Sequence, residues 1–377
     1  MTASDEMWLY SRFLMKLKKR LPDLSTHMIG SSEAREPILG FTFGNGGIVT
    51  SLVAGAHADE PVGPNTLYGL ILEIMDHPER FQELFGRFRL LIIPHVNPDG
   101  DAANASWITR WPELTPFLAG MKREPPGRDI EFGYPAMRPE NRAATGFWER
   151  EAPVHLHFSL HGMQFSEGYL LLINDEWEER TRTWRRNYDN MMRDEGLQPH
   201  DHDRGGEKGF NYMGPGFTST PKGTAMREFF LDKGDPETAA LFHSSSMEHH
   251  LERNPDALCM VTEFPLFLVE TSPQNGVPEN YLALKQEWEK WKKEREGLKK
   301  EKEEKNEKAE KEEKRDSDPD PDPDPDPDPD GEATAAAERL VSRFGIRPIP
   351  PGRAMRLQRM TIRKAMDLAQ TFFEKSI

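Results

Sequence analysis

The stretch IVTSLVAGAHADE, which spans residues 48–60, decides the fold class of this chain. Its first seven residues carry no charge and are mostly apolar, as expected of a strand that is buried on both faces of a sheet. The run stops at Gly55, and two side chains that bind metals well, His57 and Glu60, follow directly. In open α/β sheets, sites form outside the carboxyl ends of the strands. The segment therefore predicts a buried strand whose end carries a functional site.

Strands and helices alternate on both sides of this segment. An amphipathic helix is predicted at 8–21, and the Gly-Asn-Gly-Gly of residues 44–47 predicts a hairpin between strands 38–43 and 48–54. The remaining predicted elements are helices at 63–75, 177–195, 333–344 and 353–373 and strands at 87–94, 154–161, 169–173 and 259–264. This alternation indicates an α/β fold with a mixed, mostly parallel twisted sheet flanked by helices on both faces.

Composition narrows the possible function classes. The chain has 377 residues, 36% of them hydrophobic, which is enough for a core, and its net charge of -15 is a poor match for a nucleic-acid backbone. There is no apolar run of 18 residues and no secretory signal at the N-terminus, so we expect neither a membrane span nor export. The single cysteine, Cys259, cannot form an intramolecular disulfide. Together these features predict a cytoplasmic protein.

A strongly biased segment lies near the C-terminus. Residues 284–315 are almost all Lys, Glu and Arg, and residues 318–330 are a strict Asp-Pro repeat. Proline lacks an amide donor and like charges repel, so the repeat must be extended and unpacked. We therefore predict a domain carrying the site at 1–283, a low-complexity insertion at 284–331, and C-terminal helices at 332–377 that pack back on the first domain. The sequence leaves the role of the insertion open.

Three residues have the chemistry and the positions of metal ligands. His57 and Glu60 follow one buried strand, and His161 lies at the end of another. Imidazole nitrogen and carboxylate oxygen both suit zinc, and a close pair joined by a distant histidine can surround one ion on three sides. The fourth position then stays open for water, which is the arrangement of a catalytic zinc site.

Other polar side chains within apolar strands allow two interpretations. Glu263 lies in Val-Thr-Glu-Phe-Pro, where a carboxylate is costly to bury unless it is paired, so it is either paired or functional. His155 and His157 are interpreted as ordinary hydrogen-bonded strand histidines, with a separate metal-binding face as the alternative.

In combination, these residues resemble the zinc carboxypeptidase family, the carboxypeptidase A-like metallopeptidases. The resemblance covers about residues 8–267, interrupted by loops that match poorly. Five segments resemble family motifs in the family's order, namely Glu33 to Ile38, Gly-Ala-His57-Ala-Asp-Glu60, Asn-Pro-Asp-Gly at 97–100, Ser-Leu-His161-Gly and Thr-Glu263-Phe-Pro.

The resemblance implies a zinc-dependent hydrolase. One Zn²⁺ per chain would be held by His57, Glu60 and His161, and Glu263 would act on the bound water as general base and then as general acid. The implied reaction is removal of a C-terminal residue, or a similar amide cleavage, from a peptide or amide substrate with a free carboxylate.

Matched positions imply further roles. Asn141 and Arg142 correspond to the family's pair that grips the substrate carboxylate, a task that suits a guanidinium because it donates two parallel hydrogen bonds. Arg123, or else Arg128, corresponds to the arginine that polarises the scissile carbonyl.

The chain departs from the family pattern in two places. The acid Glu140 stands directly before Asn141, with no residue between them, although it is still a candidate to orient His57. The family's mobile tyrosine about twenty residues before the catalytic glutamate has no counterpart, because no tyrosine occurs between Tyr212 and Glu263. This difference puts a tyrosine lid in doubt and indicates an unusual substrate.

Three further functions stay open at this point. An amidase of the same fold could act on cell-wall peptides, and a deacylase on the same zinc scaffold could act on acylated amino acids. A binding or scaffold protein that has lost activity is the third, although the complete set of His57, Glu60, His161 and Glu263 argues against it. Neither the side-chain preference nor the oligomeric state follows from the sequence.

Overall fold

The computed structural model describes residues 6–294 and 329–374, and its centre is a nine-stranded sheet with the order β3-β5-β4-β6-β10-β7-β9-β8 and β11 beside β10. A separate two-stranded sheet pairs β1 with β2. The strands are β1 (Met28–Ser31), β2 (Pro37–Leu39), β3 (Phe41–Phe43), β4 (Ile48–Ala54), β5 (Phe88–Ile93), β6 (Leu156–Ser166), β7 (Leu170–Ile173), β8 (Tyr212–Gly214), β9 (Phe217–Ser219), β10 (Leu258–Leu268) and β11 (Arg347–Pro348).

Helices cover both faces of the large sheet. They are α1 (Tyr10–Lys18), α2 (Val62–Asp76), α3 (Gln82–Arg87), α4 (Pro98–Ala103), α5 (Ala105–Ile108), α6 (Leu114–Gly120), α7 (Pro139–Trp148), α8 (Glu178–Asp194), α9 (Gly223–Asp232), α10 (Pro236–Ala239), α11 (Ser246–Arg253), α12 (helical over 279–294), α13 (Pro329–Phe344) and α14 (Pro351–Phe373). Within the described ranges, none of these helices is both long and apolar enough to cross a bilayer.

The four central strands β5, β4, β6 and β10 run parallel to one another, and β3 and β7 flank them in the antiparallel sense. Their apolar side chains alternate between two sides. Leu52 and Phe158 belong to the core beneath α2 and α14, whereas Val53 packs with α7 on the opposite face. All seven residues of β4 are buried, which a strand covered on both faces requires. The predicted fold class, a mixed and mostly parallel α/β sheet between helices, is confirmed.

The predicted hairpin at residues 44–47 is wrong. β5 lies between β3 and β4, so Leu90 pairs with Phe43 on one side and with Thr50 on the other. The connection instead wraps around the start of β5, where a Cβ on Gly46 would lie 1.9 Å from the carbonyl carbon of Arg87. The glycines are therefore needed for close approach to another strand, a use that local turn signals do not distinguish from a hairpin.

The described part of the charged segment packs on the domain. Helix α12 extends beyond residue 284, the predicted start of the insertion, and buries Leu284 and Trp288 in the main core. Residues 295–328, which include most of the Lys-Glu-Arg run and the Asp-Pro repeat, lie outside the described residues. The charged composition of the segment masked two apolar positions that lie on one helix face.

Removing the Trp288 side chain should destabilise the whole domain. Its ring lies 6.2 Å from the Phe117 ring and 5.9 Å from the Phe165 ring, so Trp288→Ala leaves a cavity and should lower the free energy of unfolding by about 3–5 kcal/mol. Denaturant unfolding measures this loss, and Lys290→Ala on the exposed side of the same helix is the matched control. Equal stability of the two variants would show that α12 does not contribute to the core.

Candidate metal centre

The turn after β4 brings His57 and Glu60 together. Gly55 has a φ of +78°, and a Cβ there would lie 2.4 Å from Nδ1 of His95, so the chain leaves the strand through a conformation that only glycine fits. The turn places Nδ1 of His57 2.8 Å from Oε1 of Glu60 just before α2 begins at Val62. The end of the predicted strand therefore presents one nitrogen and one carboxylate to the same point.

His161, on the neighbouring strand β6, completes the group. Its Nδ1 lies 3.0 Å from Nδ1 of His57 and 2.9 Å from Oε2 of Glu60. In the described part of the chain, these three side chains form the one group of His, Cys, Asp and Glu residues that could surround an ion, with ligand atoms within 4.8 Å of one another. Two nitrogens bound to a tetrahedral zinc at about 2.0–2.1 Å would lie about 3.3 Å apart, so the spacing fits zinc.

Glu131 supports His161 from behind and was missed in the sequence. Its Oε2 lies 3.0 Å from Nε2 of His161, and both side chains are buried. A proton on Nε2 donates to this carboxylate, which leaves the lone pair of Nδ1 for the ion. Burial raises the pKa of Glu131, but the hydrogen bond from His161 and the charges of His161, His57 and His157 together outweigh burial and lower that pKa. The one sequence feature that could have identified Glu131 is its position as an acid between two apolar residues, Ile130 and Phe132, in a long loop.

Glu263 lies on the same face of the sheet as His161, because the two residues are register partners on parallel strands. Its carboxylate accepts no hydrogen bond from the described residues. Burial, followed by the nearby charge of Glu60, raises the pKa of Glu263 to about 7, although His161, His57 and Arg123 act in the opposite direction. A carboxyl group poised near neutral pH can both take and return a proton.

The raised pKa of Glu263 predicts a pH-dependent stability of the metal-free protein. Between the ordinary carboxyl pKa and about 7, the folded protein holds a proton that the unfolded chain has released. The free energy of unfolding should therefore fall as the pH rises through this window. Glu263→Gln should remove that decline, so its stability advantage over the wild type should grow between pH 5.5 and 8. Urea unfolding at several pH values measures it, and parallel profiles would contradict the prediction.

Arg123 lies beside the metal ligands. Its Nη1 is 3.1 Å from Oε1 of Glu60 and 3.3 Å from Oδ1 of the buried Asp59, while 38% of its side chain stays exposed. Gln164 donates to the other Asp59 oxygen at 2.6 Å and holds that carboxylate in place. The guanidinium is therefore held beside the metal ligands, and part of the Arg123 side chain remains exposed.

Asn141 and Arg142 have other contacts in this structure. The Asn141 side chain is fully buried and donates to the backbone oxygen of Ile130 at 2.8 Å, and Arg142 is exposed and donates to the backbone oxygen of Ala136 at 3.0 Å. Neither forms a hydrogen bond to a residue of the metal centre in the described part of the chain, so their substrate-binding role stays a prediction.

Glu140 does not orient His57. Its Oε1 accepts from the backbone of Glu33 at 3.0 Å and from Nη2 of Arg138 at 3.2 Å. Apart from Glu60, the acid that contacts a ligand histidine is Glu131, which lies nine residues before Glu140 and contacts His161. A sequence pattern that places the acid next to asparagine therefore pointed to the wrong carboxylate.

The Asn-Pro-Asp-Gly motif at 97–100 supports the turn that carries His57 and Glu60. Asn97 caps the start of α4 by accepting from the backbone N–H of Gly100 at 3.0 Å, and its side-chain amide donates to Glu124 at 2.5 Å. The same Glu124 accepts from the backbone of Ala58 at 3.4 Å. The motif thus supports the turn that carries His57 and Glu60 through the carboxylate of Glu124, which contacts both Asn97 and Ala58.

The last helix supports the strands that carry His161 and Glu263. Gln358 of α14 is buried and donates to Oγ1 of Thr262 at 2.8 Å and to the backbone oxygen of His161 at 3.3 Å. These contacts come from a residue about 200 positions after His161 along the chain, so the C-terminal segment contributes directly to the geometry of the site.

Comparison with known proteins finds similarity to one family over part of the chain. A family model described as zinc carboxypeptidase matches residues 10–164. Similar solved structures include metallo-carboxypeptidases from Burkholderia cenocepacia (14% identity, covering 68% of this chain and 59% of that chain, TM-score 0.40) and from Pseudomonas aeruginosa in complex with (2-guanidinoethylmercapto)succinic acid (16%, 68% and 60%, 0.42). Another is bovine thrombin-activatable fibrinolysis inhibitor in complex with tick carboxypeptidase inhibitor (13%, 74% and 92%, 0.41).

The chain covers less than two thirds of the length of the two bacterial enzymes. A comparison with curated protein sequences finds no match. The segment that matches the zinc carboxypeptidase model contains His57, Glu60 and His161, so the resemblance to this family predicted from the sequence is confirmed over residues 10–164.

Proposed function

We propose that this protein is a zinc-dependent hydrolase that cleaves the C-terminal peptide bond of a peptide with a free carboxylate. The observation that carries the proposal is the convergence of Nδ1 of His57, the Glu60 carboxylate and Nδ1 of His161, with Glu263 as the register partner of His161. The family match over residues 10–164 supports a hydrolase of this kind.

One zinc ion per chain is the proposed cofactor. Two imidazole nitrogens and one carboxylate are the ligand set of catalytic zinc sites that keep a fourth position open. Glu131 favours this assignment because its contact with Nε2 of His161 directs the other ring nitrogen toward Glu60 and His57. When bound there, zinc lowers the pKa of a water ligand and polarises the scissile carbonyl.

The chain's own side chains supply the rest of the chemistry. Glu263 takes the proton of the attacking water, because its pKa lies near 7 before an ion is bound and a nearby cation lowers it further. It then returns this proton to the departing amine. Arg123 stabilises the developing negative charge on the carbonyl oxygen with the exposed part of its guanidinium, which Asp59 and Glu60 hold in position.

Mass spectrometry of a mixed peptide pool tests the proposal. The pool is incubated with zinc-loaded protein and, separately, with Glu263→Gln. Peptides that lose single C-terminal residues with the native protein alone would support a carboxypeptidase and reveal its side-chain preference. A pool that stays intact with zinc-loaded native protein would refute the carboxypeptidase, and cell-wall peptides and acylated amino acids would then test the amidase and deacylase alternatives.

A further inference from the structure

A chain of buried hydrogen bonds extends from the metal centre into the core. Oε2 of Glu131 contacts Nε2 of His161 at 3.0 Å, and Oε1 of Glu131 accepts from Oγ of Ser246 at 3.0 Å. The same Ser246 oxygen lies 3.0 Å from Nε2 of His157. All four side chains are at most 5% exposed. Ser246 is the first residue of α11, His157 and His161 lie on β6, and Glu131 lies in a loop, so these hydrogen bonds join three separate parts of the fold.

The direction of each hydrogen bond follows from the chemistry of its members. An ionised carboxylate is an acceptor only, so both His161 and Ser246 must donate to Glu131. Ser246 has then used its one proton and can only accept from His157. His157 must therefore carry its proton on Nε2, and its Nδ1 has no hydrogen-bond partner in the described part of the chain.

The neutral state of His157 agrees with this assignment. Burial lowers the pKa of His157 to about 3, although Glu131 acts in the opposite direction. The ring of His250 lies tilted at 4.3 Å from that of His157, and burial lowers the pKa of His250, so this neighbour adds no charged partner. The neutral His157 therefore donates from Nε2 to Ser246, and Ser246 donates to Glu131, whose other oxygen faces Nε2 of His161.

We propose that Ser246 and His157 are positioning residues of the metal centre, which fix the Glu131 carboxylate and through it hold His161 with Nδ1 directed at the ion. The inference rests on the zinc site of the proposed function. It goes beyond that function because the hydrogen bonds of His157 and Ser246 described above reach Glu131 and each other, and not a metal ligand. An exclusively structural role would lower the stability of the protein without changing its affinity for the metal.

A matched pair of serines separates the two roles. Ser272 donates to Glu167 at 2.7 Å, and both are buried, so Ser272→Ala removes a comparable serine–carboxylate hydrogen bond that is not linked to the ligands. The full chain is stripped of metal, and its affinity for Zn²⁺ is measured by competition with a chromophoric chelator. Urea unfolding of the metal-free variants and the absorption spectrum of the Co²⁺-loaded variants are recorded in parallel.

We expect Ser246→Ala to weaken Zn²⁺ binding by about tenfold, at the lower end of the 10–100-fold range for residues that orient ligands. Ser246→Thr keeps the hydroxyl and should restore the affinity and the Co²⁺ spectrum. Ser272→Ala should lower the free energy of unfolding and leave the affinity for Zn²⁺ unchanged. If Ser246→Ala does not fold, His157→Leu and His157→Gln form the second test, and only the leucine variant, which lacks a donor, should weaken binding.

Unchanged Zn²⁺ affinity in Ser246→Ala, or in His157→Leu when the serine variant does not fold, would overturn the inference while the wild type still binds zinc. An equal loss of affinity in Ser272→Ala would overturn it as well. A wild-type protein that binds no Zn²⁺ would instead overturn the metal site of the proposed function, so the two failures are distinguishable.

Discussion

Glu263→Gln should lower kcat on a C-terminal peptide substrate by roughly 10²- to 10⁴-fold, the range associated with loss of a general acid–base group. The change removes the group that can take and return a proton and keeps the size of the side chain. Since Glu263 is not one of the three ligand residues, zinc should stay bound and KM should change little. The loss should therefore appear in the chemical step, which single-turnover measurements isolate.

The matched control for this prediction is Glu270→Gln. Glu270 follows the same strand, is exposed, and lies outside the metal centre. The Glu270→Gln variant should retain wild-type turnover and zinc content. A Glu263→Gln variant that keeps near-normal kcat with zinc bound would remove Glu263 from the reaction.

His57→Ala should abolish zinc retention and activity together. The change leaves Glu60 and His161 as the remaining ligands, and the affinity should fall by more than about 100-fold, because even residues that only orient a ligand contribute 10–100-fold. Zinc at about 100 times its Kd should stabilise the wild type by about 2.7 kcal/mol, and this stabilisation should be absent in the variant. Metal analysis after dialysis and thermal unfolding with and without Zn²⁺ measure both effects.

His77→Ala is the control for the ligand variant, because His77 is a surface residue beyond the end of α2. The His77→Ala variant should bind zinc and should show the same rise in unfolding temperature with Zn²⁺ as the wild type. A His57→Ala protein that still binds one zinc ion and is stabilised by it would show that the ion lies elsewhere.

Local sequence patterns were sufficient to predict those strands whose composition shows whether one or both faces are buried. The uncharged run at 48–54 gave a central strand because only a position covered on both faces suits such a run, and the turn after it brought His57 and Glu60 together. The distant His161 could be paired with them because the carboxyl ends of neighbouring parallel strands meet at one edge of a sheet.

Other features depended on contacts that no local pattern encodes. β5 lies between β3 and β4, although the glycines at 44–47 have the composition of a hairpin. Glu131 contacts His161 from a loop thirty residues earlier, and only the folded chain shows which acid of that loop points inward. The apolar positions of α12 were likewise hidden in a charged segment until Trp288 was seen to pack against Phe117.

A crystal structure of the protein grown with Zn²⁺, in which anomalous scattering locates the metal, tests the proposed metal centre most directly. We expect one zinc ion bound by Nδ1 of His57, the Glu60 carboxylate and Nδ1 of His161 at about 2.0–2.2 Å, with a water in the fourth position beside Glu263. Crystals with excess Zn²⁺ in which these three side chains bind no metal would contradict it.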